Sequence, residues 1–174
     1  MANERYTRTN QKLYFAGLAL ETLAKAEQGS AMNALARMQA EREAVVFHLY
    51  GALLGLCHEI AGFYRLADSA APRAQAYLTP AVLTSAANPE LAELVELTQQ
   101  PHTWLSQLLS AYGDLFQPPR EPAKPKHDVT TPLIQAVDLG AEGEPEPLNA
   151  QTLEAWRQHL KALAIRFRDG LSEC

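Results

Sequence analysis

The sequence predicts an all-α domain, a four- to five-helix bundle with a long central second helix and a proline-rich crossover before the last helix. Three observations predict it. Ser30 to Leu66 contains no proline, and apolar residues occupy most of its faces, the pattern of a helix buried on most sides. Leu153, Trp156, Leu160, Leu163 and Phe167 recur at steps of three and four, which makes one apolar stripe on a final helix. Seven of the eleven prolines fall within residues 117–148, where no long helix persists. Neither a strand-like alternation nor an internal repeat is present.

The first helix is read from Glu4 to Gln28. Leu13, Gly17, Leu20 and Ala24 share one side of it, and Phe15, Leu18 and Leu23 widen that side. Gly29-Ser30 ends this helix and caps the next. So short a link makes the two helices antiparallel neighbours. Unbroken, the second helix spans the 37 residues from Ser30 to Leu66, roughly 55 Å at about 1.5 Å per residue. Gly51, Gly55 and Gly62 are the points where it would kink.

Asp68 to Pro72 breaks the helical pattern. A short piece from Arg73 to Leu78 leads to Pro80 and a further turn or two through Ala86. Asn88-Pro89 combines an N-cap side chain with proline at the first helical position, and it opens a helix from Pro89 to Thr98. Another helix follows from Pro101 to Phe116, with Trp104, Leu105, Leu108, Leu109, Tyr112 and Leu115 on its apolar side. Residues 117–148 read as a long crossover with one anchored segment, Pro132-Leu133-Ile134-Gln135-Ala136-Val137, apolar enough to dock on the domain, and a disordered linker is the alternative. Asn149 caps the final helix and Gly170 stops it.

The whole chain, 1–174, reads as one domain, long enough to bury a proper core. Hydrophobic residues make up 47% and charged residues 20%, ordinary for a globular protein. A net charge of −5 argues against a nucleic-acid partner, because nucleic-acid modules carry a basic face. No uninterrupted apolar run reaches the roughly 18 residues that a bilayer span needs, so no membrane partner is expected. Two cysteines, Cys57 and Cys174, make no disulfide framework, which fits a reduced, cytoplasmic setting. Arg5, Arg8 and Lys12 before the run Leu13–Leu20, with Ala24-Lys25-Ala26 behind it, have the outline of a secretory signal. Glu21 interrupts that run, and the helical pattern continues through it.

The second helix carries one distinctive stripe. Glu41, Ala44, His48, Gly51, Gly55, His58, Gly62 and Arg65 are spaced three and four apart and share a face. His48, Gly51, Gly55, His58 and Gly62 therefore mark a seam where either a neighbouring helix or a ligand comes close. The five histidines (His48, His58, His102, His127 and His159) could supply metal ligands from several helices. No histidine has a second one four residues on, or a glutamate three before it, and a ferritin-type di-iron site is thereby excluded. No metal and no cofactor is expected. Cys57 lies within the buried helix and lacks the context of a nucleophile. Glycine-rich phosphate loops are absent.

Arg42 followed six residues later by His48 resembles the motif of HEPN domains, helical bundles that include many ribonucleases. That resemblance implies an RNA-directed enzyme in which His48 is the general base and Arg42 stabilises developing charge. Two further runs resemble an uncharacterised family of small helical proteins from pseudomonads and related bacteria. They are Asn3-Glu4-Arg5-Tyr6-Thr7-Arg8-Thr9-Asn10-Gln11-Lys12, and Glu41-Arg42-Glu43-Ala44 continuing through Phe47-His48-Leu49-Tyr50-Gly51-Ala52-Leu53-Leu54. This second resemblance spans most of the chain and implies a bacterial, cytoplasmic protein. The residues themselves favour a non-catalytic interaction or assembly protein, with a protein partner or self-association through exposed apolar helix surface. A small-ligand or metal-binding bundle is the third reading.

Overall fold

A computed structural model describes residues 3–85, 88–118 and 148–172. Among these the chain is helical throughout its regular elements. They are α1 (Asn3–Glu27), α2 (Ala34–Phe63), a 3-10 turn (Ala74–Ala76), α3 (Pro80–Ser85), α4 (Pro89–Gln99), α5 (Trp104–Asp114) and α6 (Ala150–Ser172). The expected crossover segment 132–137 lies outside the described residues, as do His127 and Cys174.

α2 is the axis of the bundle. It packs along α1 and also touches α4, α5, α6 and the 3-10 turn. Val45, Leu49, Leu53, Leu56 and Ile60 are sealed from solvent along it. Leu23 of α1, Leu91 and Leu94 of α4, Leu105 and Leu108 of α5, and Leu153 and Leu160 of α6 complete the same core. Each such side chain contributes about 1.5–3 kcal/mol of burial free energy. A helix that meets neighbours on several sides therefore organises the domain. By length and composition α2 would also suffice to cross a membrane, and 67% of its most apolar window is buried inside the bundle.

Several boundaries differ from the sequence reading, and three of them have a local cause. α2 starts at Ala34, not Ser30. Reversal of the chain takes more residues than Gly29-Ser30 supply, and the Ala34 N–H closes a turn on the Ala31 carbonyl at 2.9 Å. α5 starts at Trp104, not Pro101, because the Thr103 hydroxyl caps it, accepting the Ser106 N–H at 3.2 Å. α6 runs through Gly170 to Ser172. Leu171 is buried there, and its packing outweighs the small helix cost of the glycine.

Elsewhere local chemistry sets the ends. Asn88 Oδ1 accepts the Leu91 N–H at 2.8 Å, and Asn149 Oδ1 accepts the Thr152 N–H at 2.8 Å. α2 ends because Arg65 adopts a left-handed backbone, φ 52°. The Leu66 N–H then reaches the Ala61 carbonyl at 2.9 Å, the long bond of a Schellman cap.

Candidate functional site

Two arrangements grow from the α1–α2 pair, one sealed and one open. The sealed one begins at Gly55. A β-carbon there would meet Thr9 Oγ1 at 2.6 Å and the Thr9 backbone at 3.2 Å. Only glycine lets α1 lie this close. One turn on, Glu59 points into the same contact and is 3% exposed. A buried carboxylate must be paired and hydrogen-bonded. The Thr9 hydroxyl donates to Glu59 Oε1, and Arg168 of α6 donates through Nε and Nη2, both at 2.8 Å. The third guanidinium nitrogen, Nη1, donates to Asn10 Oδ1 at 2.9 Å, and the guanidinium carbon sits 4.7 Å from the Tyr6 ring centre. α1, α2 and α6 are tied at one point, and each of the three guanidinium nitrogens of Arg168 makes a hydrogen bond there. This cluster holds the bundle and is closed to a reactant.

The open arrangement begins one turn earlier, at Gly51. The Lys12 stem lies flat on it, with methylene carbons 3.1–3.3 Å from where a β-carbon would stand. Its ammonium reaches to 5.1 Å from the Phe47 ring centre. Rings then follow one another across three helices. Phe15 of α1 meets the His48 ring edge-on at 5.5 Å, and His48 meets Phe47 at 5.7 Å. Phe47 is 6.5 Å from Tyr112 of α5, and Tyr112 is 5.3 Å from Phe116. Beneath, Tyr112 stacks on Tyr50 at 3.6 Å. Tyr50 is held in turn, as its hydroxyl donates to Gln75 Oε1 at 2.8 Å and accepts the Ala74 N–H at 3.1 Å. Phe47 is 48% exposed and Phe116 71%. The result is an aromatic face on a rigid base, with a cation fixed in it.

Burial of its ring holds His48 below its ordinary pKa, and Lys12 adds to the effect. Lys12 is lowered by burial of its stem and by Arg8. His48 also lines a shallow groove of about 350 Å³ with Phe15, Leu18, Glu41 and Ala44. Its Nδ1 has no hydrogen-bond partner among the described residues.

The structure does not bring Arg42 and His48 together. Six residues at 3.6 per turn set them about 120° apart around α2. Arg42 donates to Gln39 Oε1 at 3.2 Å and does not line the His48 groove. His48 and His58 are separate too. His58 Nε2 meets the Ala71 carbonyl at 2.8 Å and its ring packs on Tyr77, whose hydroxyl accepts the Ala71 N–H at 2.8 Å. That histidine anchors the loop after α2. Gly62 is half-buried at the end of the stripe. His159 packs against Trp104. Among the described residues no three histidine, cysteine or acidic side chains converge as a metal set would. Cys57 is sealed, and burial pushes its thiol up to about 12, which leaves it no thiolate near neutral pH.

A second groove, of about 520 Å³, runs between α1 and α6 past Gly17, Leu20, Ala24 and Gln151. Two of its charged residues satisfy each other, since Arg157 donates to both Glu154 oxygens at 2.7 and 2.8 Å.

Sequence reasoning missed Glu59 and Arg168. The available signal was a carboxylate one turn after Gly55 in an otherwise apolar helix, which demands a partner from elsewhere.

The model of a family of unknown function (DUF6586) matches residues 1–174. No curated protein and no solved structure matches the chain.

Proposed function

The chain belongs to that family of unknown function, and from its geometry we propose a non-catalytic interaction protein that docks a protein partner through the aromatic face of α1, α2 and α5. The observation that carries this reading is the continuous ring sequence Phe15, His48, Phe47, Tyr112 and Phe116, built on a stacked Tyr50 and open to solvent at Phe47 and Phe116. Aromatic side chains with few rotatable bonds supply contact area at little entropic cost. Exposed apolar patches on a folded chain mark surfaces that bind. The buried Glu59–Arg168 cluster, by contrast, is spent on holding helices together. The resemblance to proteins of pseudomonads and the reduced, buried Cys57 support a bacterial, cytoplasmic setting.

The test is site-specific photo-crosslinking in the cells that make the protein. A benzophenone side chain placed at Phe47 is expected to give a discrete protein adduct. The same group at Ala155, exposed on α6, is expected to give none. No adduct from position 47, or the same adducts from both positions, overturns the reading.

A further inference from the structure

The two ends of the aromatic face carry opposite charge. Towards the α1–α2 turn, Glu43 stands one turn before Phe47, and Glu41 lines the groove beside His48. Towards the other end, Lys12 lies on Gly51 with its ammonium at Phe47. Arg8, one turn earlier on α1, is exposed there and close enough to depress the Lys12 pKa. Arg42, between the two glutamates in sequence, turns its guanidinium to Gln39. The face is thus acid, then aromatic, then basic, in the direction of α2.

A two-fold interface is made of one patch facing itself, so it requires a patch complementary to its own reverse. This face has that property. Resting on the reading of the aromatic face as a docking surface, we propose that its occupant is a second copy of this chain, docked about a two-fold axis at Phe47 with the two α2 helices antiparallel. Four residues at a rise of about 1.5 Å carry Glu43 about 6 Å past the axis along the second copy's α2. That is the level of Gly51, where the Lys12 stem lies. At the axis the two Phe47 rings meet, with His48 and Tyr112 of each copy flanking them. The charged ends set direction and register, and the rings supply the apolar contact.

Light scattering and sedimentation of the full chain over a hundredfold range of concentration test this. Wild type is expected to form a dimer. Phe47→Ser is expected to remain monomeric. Lys12→Glu and Glu43→Lys are each expected to raise the dissociation constant about tenfold or more. An equimolar mixture of those two variants is expected to dimerise at least as tightly as wild type, because each mismatched charge then meets its opposite in the other chain. Circular dichroism checks that each variant is folded. A wild type that stays monomeric throughout overturns the proposal, as does a dimer that the charge variants and their mixture leave unchanged. The photo-crosslink at position 47 separates the two readings. An adduct of twice the chain's mass supports the second copy. An adduct with a different protein overturns it and leaves the docking surface standing. No adduct overturns both.

Discussion

Gly55 and Gly51 are one turn apart on the same face, yet they tolerate a methyl group differently. At Gly55 the added carbon meets the Thr9 backbone, which cannot move without shifting α1. Gly55→Ala is expected to lower unfolding free energy by about 1–3 kcal/mol. At Gly51 it meets the flexible end of Lys12, and Gly51→Ala is expected to cost less than Gly55→Ala. Urea denaturation of both variants checks the order. Arg65 offers the opposite case. Its left-handed backbone, φ 52°, costs any side chain with a β-carbon about 1 kcal/mol. Arg65→Gly is expected to stabilise the protein by up to about that amount, read as a rise in denaturation midpoint.

α6 enters the bundle by two different means. Its apolar stripe packs Leu153, Trp156, Leu160 and Phe167 into the core, and Arg168 fastens its last turns to Glu59. Loss of Arg168 leaves a buried carboxylate unpaired. Arg168→Met is therefore expected to destabilise by about 3 kcal/mol. Thermal melts would show it, and a change under 1 kcal/mol would refute the account. The segment after α2 depends on His58 in a weaker way. His58 and Tyr77 together hold the Ala71 peptide. His58→Ala is expected to speed amide exchange around residues 66–78 while leaving exchange in the middle of α2 unchanged. Helix starts were legible where a side chain caps locally, as at Asn88 and Asn149. One was misplaced at Ala34, where the connection's path decides how many residues the turn consumes, and another at Trp104, where Pro101 reads as a first helical residue but the Thr103 hydroxyl is the cap.

Stability of the whole molecule carries a pH signature through His48. Its folded pKa lies below the ordinary 6.5, so the unfolded chain takes up the proton first. Stability is then full above about pH 6.5 and is lost as pH falls through the lowered folded value. Melting temperature is expected to fall between about pH 7 and pH 5, and His48→Gln is expected to flatten part of that slope. A wild-type slope identical to that of the variant would contradict this assignment. By itself the sequence determined the helical class, the buried second helix and the amphipathic last one, because three- and four-residue spacings are local and encode which face seeks the core. The stripe at Gly51 and Gly55 was visible for the same reason. Which side chains lie on it was decided only by tertiary structure. Thr9, Glu59 and Arg168 come together across separations of 50 and 109 residues. The aromatic face likewise draws on α1, α2 and α5, whose relative rotation follows from how their buried leucines fill one core.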